Sequence, residues 1–433
     1  MEECGSIEIA KNNNPVRLRC AVQNYDWGIV GNNSQVARLF SLNSRSSIDS
    51  TKPYAEFWIG THESGPSFIH HGAWIRPNHA VSLKSWISQH PGVLGDKVVE
   101  KWGVDLPFLL KVLSVEKALS IQAHPDKELA KALHKSHPSV YKDDNHKPEM
   151  ALAITEFEAL CGFISFKELK GVLCSVPEIV ELVGGGNAKQ FLCVNEWDGS
   201  EKGKELLESI FGELMSASND ATREMVSKMK RRLNREKKKR KLTVKELLVL
   251  RLESQYPDDV GVIAAFVLNY VKLNRGEALY LGPNEPHAYI SGECIECMAT
   301  SDNVVRAGLT SKQRDSQTLL SMLEYKQGFP EILRGVSLTP YTTRYLPPFD
   351  EFEVDCCILP RAASAVFPSI PGPSLFLFIA GKGTLDAGLS KEDMVEEGEV
   401  LFVPAYMEIR VTAESTELQL YRAGVNSRCF KDL

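Results

Sequence analysis

Three of the ten histidines, His124, His146 and His287, sit beside polar groups in otherwise apolar, Pro-bounded text. In SIQAHP, Gln122 and His124 are two residues apart, so on a strand they share a face. Their backbones then lie about 7 Å apart, within reach of one ion. Pro125 ends that strand at once and puts His124 at a sheet rim. HKPEM adds Glu149, where Pro148 again marks an edge. EPHAY adds His287 in a Pro turn leading into a strand. Two imidazoles, one carboxylate and one amide oxygen form a four-donor N/O set. It suits Zn²⁺ and also accommodates Fe²⁺, Mn²⁺ or Co²⁺. The plainer alternative is a set of satisfied core histidines. His62, in a Gly/Ser-flanked loop, stays open; His70, His71, His79, His90, His134 and His137 read as surface residues.

Fixed cations stand near this set. Lys147 precedes Glu149 by two residues, and SDNVVRAGLT carries Arg306 inside an apolar strand with Asp302 upstream. A lone Arg in such text needs a partner, either a bound anion or an acid such as Glu296. Other chemistries are poorly signalled. In CIEC, Cys294 and Cys297 would face opposite sides of a strand and read as core thiols, as do the adjacent Cys356 and Cys357. G-x-G-x-x-G, G-x-x-x-x-G-K-[ST] and G-x-S-x-G do not occur, so no dinucleotide, P-loop or nucleophile-elbow site is marked.

The elements that must position these residues are mostly strands. Residues 17–120 are rich in β-branched and aromatic residues with Gly and Pro punctuation, with a short helix expected at 83–90. A further helix is expected in PDKELAKALHKSH, with Pro125 in its first turn. From about 165 to 255 the period becomes helical. Leu206, Leu207, Ile210, Phe211, Leu214 and Met215 form one stripe; Val244, Leu247 and Leu248 form another, and GGGN at 184–187 is a breaker. Strand-like text resumes at Gly261 and, apart from a helix near 316–325, runs to the C-terminus, which predicts a β-sandwich or barrel.

RGEALYLGPNEPHAY from Arg275 and EGEVLFVPAYMEIRV from Glu397 read as one motif twice, which aligns His287 with Ile409. Residues 325–433 contain no histidine. A second β unit there is therefore expected to bind no metal and to fill its interior with Phe376, Phe378, Leu401 and Val403.

The 433-residue chain has 43% hydrophobic and 24% charged residues, ordinary globular composition long enough for two or three domains. No apolar run approaches the roughly 20 residues of a membrane span. Ten cysteines are too few for a disulfide scaffold, and MEECGSIEIAKNNN has no apolar signal segment, so a cytoplasmic setting is expected. The net charge is −6, but Lys228 to Lys241 holds ten basic residues and one acid, leaving −15 for the rest. Such an acidic body argues against nucleic acid as a partner. The run itself fits either a localisation or RNA patch, or the solvated face of a charged helix.

NYDWG (24–28), AEFWIGTHESGPS (55–67), LPFLLKVLSVEKALSIQAHPD (106–126), NHKPEM (145–150), EPHAY and ECMATSDNVVRAGLTSK (296–312) closely resemble type I phosphomannose isomerases. The resemblance spans about 17 to 315. It implies a mainly β fold with a helical insertion: a catalytic cupin jelly-roll, a helical domain and a second, metal-free jelly-roll-like domain. The expected division is a flexible 1–16, a catalytic β domain of 17–164 plus 258–328, a helical insertion at 165–257 and a C-terminal β domain at 329–433. The implied activity interconverts mannose 6-phosphate and fructose 6-phosphate with one Zn²⁺ per chain, feeding GDP-mannose metabolism.

By resemblance the zinc ligands fall on Gln122, His124, Glu149 and His287, and the active-site arginine on Arg306. Ser120, Lys147 and Lys312 match residues near the sugar phosphate; Tyr289 and Asp302 complete the expected substrate-binding set. The general base stays open among Lys147, Glu296 and His146. The expected partner is a small sugar phosphate, with no membrane, and the chain a monomer or weak oligomer. An Fe²⁺ oxygenase using His124, His287 and Glu149 and a non-catalytic sugar-binding double β-barrel are the competing readings.

Overall fold

The computed structural model describes residues 14–70, 81–194, 200–388 and 393–431. His71, His79 and most of the 1–16 segment lie outside the described residues. The fold is mainly β with a helical insertion, as expected. An eleven-stranded sheet system carries the candidate residues, and an eight-stranded and a four-stranded sheet build the C-terminal unit.

The long strand His287–Ala299 ties the first system together. Its first half pairs with Phe157–Phe163 and its second with Phe108–Val115 and Glu149–Ala153. The strand changes partners at Gly292, where φ is +107° and a Cβ would meet the Glu156 carbonyl oxygen at 2.3 Å. Only glycine fits there. Phe108–Val115 is buried along both faces, which explains its largely apolar text, broken only by Lys111 and Ser114. Leu113 faces inward with Ala151 and Cys294. Leu110 and Val112 face outward, where Leu152 joins them against Leu375, Leu377 and Phe402 of the C-terminal unit.

The N-terminal strand Val16–Arg19, in text expected to join the catalytic unit, pairs with Val400–Val403 in the C-terminal sheet. The two β units thus share an apolar seam and a strand. Deleting 330–433 should expose that seam and drive the remainder into the insoluble fraction, while the intact chain should bind one zinc. A soluble, fully active 1–329 fragment would refute the covering role. Two zinc equivalents, one lost on truncation, would refute the single site.

The sequence repeat is a structural one. Gly276 and Gly398 have φ of +82° and +86°, and Asn284 and Tyr406, each eight residues on, have +60° and +65°. The Glu277 carboxylate accepts the Asn274 N–H at 3.0 Å, and the Glu399 carboxylate accepts the Glu396 N–H at 3.2 Å. Ile409 opens a strand where His287 opens one, and it is buried with Phe376, Phe378, Leu401 and Val403. The expected apolar filling is nonetheless incomplete. Ser374, whose partner is Val403 as Glu149's is Leu281, bonds the buried Arg422 guanidinium at 2.9 Å. Arg422 also reaches Glu353 at 3.1 Å and Asp355 at 2.9 Å. A buried ion network stands where the other unit gathers its histidines.

Several local expectations need correction. Helices Gln35–Ser44 and Asp96–Trp102 stand in text read as strands and turns; Ser34 caps the first by accepting the Ala37 N–H at 3.1 Å. Pro125 precedes the N-cap Asp126 and is outside the helix Lys127–Ser136. Gly184 separates two helices at φ +79°, but Gly185 already begins the helix Gly185–Cys193. On Val244–Gln255 the buried face is Leu248, Val249 and Leu252, while Val244 and Leu247 are exposed.

At Gly261 the chain is a helix, Val260–Ala264, and the strand begins at Leu268. That segment is buried on every side, so its apolar text shows no period. The basic run lies on Asn219–Glu236 and the turn after it. Arg232 pairs with Glu178 at 2.8 Å and Lys230 with Glu253 at 2.8 Å, while Lys237, Lys238 and Lys239 are exposed. The run is thus partly a braced helix face.

Candidate active site

The four donors expected from spacing meet at one rim of the eleven-stranded sheet system. Gln122 lies opposite His287 in the ladder, and His124 follows the strand Ile121–Ala123. Glu149 and His287 each open a strand. His124, Glu149 and His287 offer ligand atoms all within 4.8 Å of one another, and all three are buried. His124 Nε2 is 3.2 Å from Glu149 Oε1, and His287 Nε2 is 3.7 Å from Glu149 Oε2. The Gln122 amide is 3.5 Å from His287 Nε2. A half-turn of that amide, which exchanges its oxygen and nitrogen, presents the oxygen to the same point.

The protonation pattern asks for a cation. His124 Nδ1 lies 2.7 Å from the Asn303 carbonyl, and His287 Nδ1 lies 3.0 Å from the Glu285 carbonyl. A carbonyl can only accept, so each Nδ1 carries the proton and each Nε2 presents a lone pair. Burial holds both imidazoles neutral, His124 down to about 4 and His287 below its ordinary value. Despite its 3.2 Å approach to Glu149, the buried His124 Nε2 makes no hydrogen bond. Burial alone would raise Glu149, but the Lys147 ammonium outweighs it and holds the carboxyl well below the usual range. Lys147 Nζ stands 3.1 Å from Glu149 Oε1. Bare imidazole lone pairs aimed at a carboxylate in a dry pocket are a fit for Zn²⁺.

Two of the donors, Gln122 and Glu149, line a cavity of about 520 Å³. Arg306 lines it, lies opposite Gln122 in the ladder and has no acid partner among the described residues. Burial lowers its pKa, yet a guanidinium stays charged. Glu296 is not its partner, because Glu296 accepts from Lys111 at 2.8 Å. Burial lifts Glu296 to about 7; Lys111 opposes that lift, while Glu149 and Glu56 add to it. Ser120 donates to Gln122 at 3.1 Å, Tyr289 donates to Glu149 at 3.4 Å, and Lys312 sits over the Tyr25 ring at 5.7 Å. Asp302 pairs with His62 at 3.3 Å. His146 lies 2.7 Å from Glu351 and is not among the residues that line the cavity.

Residues 16–166 match the family model Phosphomannose isomerase type I, catalytic domain, and 182–268 match its helical insertion domain. Mannose-6-phosphate isomerase 2 of Arabidopsis thaliana is 62% identical over 96% of this chain and 95% of that protein. The chain belongs to the type I phosphomannose isomerase family. Mannose-6-phosphate isomerase 1 of the same plant is 61% identical over 95% of this chain and 94% of that protein. A crystal structure of mannose 6-phosphate isomerase from Salmonella typhimurium, bound to substrate (f6p) and zinc, is 26% identical with a TM-score of 0.78. It covers 95% of this chain and 99% of that chain.

The cavity of this phosphomannose isomerase family member also holds Glu56 and Lys111, which the sequence had not marked. Glu56 accepts the Trp58 indole N–H at 2.5 Å and stands 3.3 Å from Lys111. Lys111 was a readable signal, a lone cation in LPFLLKVLSV, by the same logic that marked Arg306. His62, left open, forms the cavity wall with Trp58, their rings 5.0 Å apart and edge-on.

Proposed function

We propose that this chain interconverts mannose 6-phosphate and fructose 6-phosphate, with one zinc held by Gln122, His124, Glu149 and His287. The observation that carries the reading is the buried, bare-acceptor donor set, two of whose members, Gln122 and Glu149, share a cavity with an unpaired Arg306. When bound, zinc supplies a Lewis acid for a sugar oxygen. The chain's own residues do the rest.

Glu296 takes the proton from C2 of the aldose and returns it to C1, while the O2 hydroxyl proton passes to O1 so that the carbonyl moves to C2; a carboxyl near 7 both accepts and releases protons at neutral pH. Arg306 holds the negative oxygen of the enediolate between those two events. Lys147, in contact with Glu149, keeps a second cation beside the reacting oxygens. Ser120 and Lys312 bind the phosphate, and Tyr289 and Asp302 orient the sugar.

An Fe²⁺ oxygenase leaves the amide of Gln122 and the cationic wall without a use, and a non-catalytic sugar-binding barrel leaves Glu296 without one. A cytoplasmic setting and a place in GDP-mannose metabolism go with this reading. Nine free cysteines among the described residues support a reducing compartment.

The pH profile tests the base. Groups facing Glu296 are Lys111, Glu56, Glu149, Lys147 and Tyr289. Glu296 must be ionised to accept a proton, so kcat/KM should fall as pH drops through about 7, or lower as zinc adds positive charge. Glu296→Gln should remove that limb and lower kcat about 10²–10⁴-fold. A limb that survives in Glu296→Gln would assign the base elsewhere.

A further inference from the structure

We propose that Asp143 is a positioning residue for the metal centre, its carboxylate locking residues 301–303 so that the Asn303 carbonyl fixes the His124 ring in its metal-binding setting. The inference rests on the zinc reading above and concerns a residue that does not line the cavity.

Four donors converge on this carboxylate. Oδ1 accepts the Ser301 hydroxyl at 2.8 Å, the Asn303 side-chain amide at 3.1 Å and the Asn145 N–H at 3.0 Å. Oδ2 accepts the Asp302 N–H at 2.7 Å. The Asn303 amide is shared with the Asp143 and Asn145 carbonyls at 2.7 and 2.9 Å, and the Asn303 N–H ends on Ser301 Oγ at 3.1 Å. Ser301 and Asn303 are buried, so these bonds have no water to replace them.

Every donor of the Asn303 backbone and side chain is thus spent on the 143–145 loop or on Ser301, which that loop holds. Of its two acceptors, the side-chain Oδ1 is buried without a partner among the described residues, and the backbone carbonyl lies 2.7 Å from His124 Nδ1. That contact decides which nitrogen of His124 carries the proton and where its lone pair points. Asp143 therefore acts on the metal at one remove, through Asn303 and then His124. An amide at 143 has one acceptor oxygen and turns an NH₂ toward at least one of the four donors. The Asn303 carbonyl then loses its fixed place.

The test uses full-length protein stripped of metal and titrated with Zn²⁺ against a chromophoric chelator. Asp143→Asn should weaken zinc binding about 10–100-fold, the usual effect of losing an outer hydrogen-bond partner of a ligand. At saturating zinc, kcat should stay within about threefold of wild type, because the fully loaded site is rebuilt by the metal itself. Ser301→Ala removes a single hydroxyl; it should weaken zinc about threefold or more and decides the matter if Asp143→Asn fails to fold. Variants that bind zinc as tightly as wild type, even with a lowered apo melting temperature, would overturn the clamp and leave a merely structural brace. A wild-type protein that takes up no zinc would overturn the metal reading and the clamp with it.

Discussion

Stripping the metal should abolish conversion of mannose 6-phosphate, and stoichiometric zinc should restore it. The expected loss is on the order of 10³-fold or more, since a Lewis acid contributes several kcal/mol and about 1.4 kcal/mol is tenfold. His287→Ala should do the same irreversibly. Its Nε2 is one of two imidazole lone pairs in the set, and its Nδ1 is already committed to the Glu285 carbonyl. Removing the ring leaves Glu149 with one imidazole and opens a void in the rim. Added zinc should then fail to rescue turnover. Metal analysis and a thermal melt separate the outcomes: a folded His287→Ala protein that keeps one zinc would show that this residue is no ligand.

For Arg306→Ala the expectation is a fall in kcat of about 10²–10³-fold with zinc content unchanged. The guanidinium lies beside the donor set, opposite Gln122, yet is not one of the donors. No acid among the described residues neutralises it, so its charge is available to the substrate oxyanion. Arg306→Lys keeps the charge but loses the planar fork, and should recover only part of the rate. A kcat within threefold of wild type in Arg306→Ala would remove this residue from the mechanism.

What could be read from the sequence followed from short-range geometry. The period of two on a strand put Gln122 and His124 on one side, and Pro125 and Pro148 marked rims, so the donor set was legible. The repeat was legible because its turn chemistry recurs, down to Gly276 and Gly398. The partnership of Lys111 with Glu296 was not, because 185 residues separate them and only sheet register brings them together. The ion network around Arg422 escaped for the same reason: Glu353, Asp355 and Ser374 come from other strands. The helix Val260–Ala264 escaped because a segment buried all round leaves no periodic trace.

The most direct test of the account follows zinc-loaded protein with mannose 6-phosphate in D₂O by NMR. The account predicts that fructose 6-phosphate accumulates to equilibrium, and that it acquires solvent deuterium at C1 to the extent that the proton held by Glu296 exchanges with solvent before its return. Stoichiometric zinc with no fructose 6-phosphate formed would contradict it.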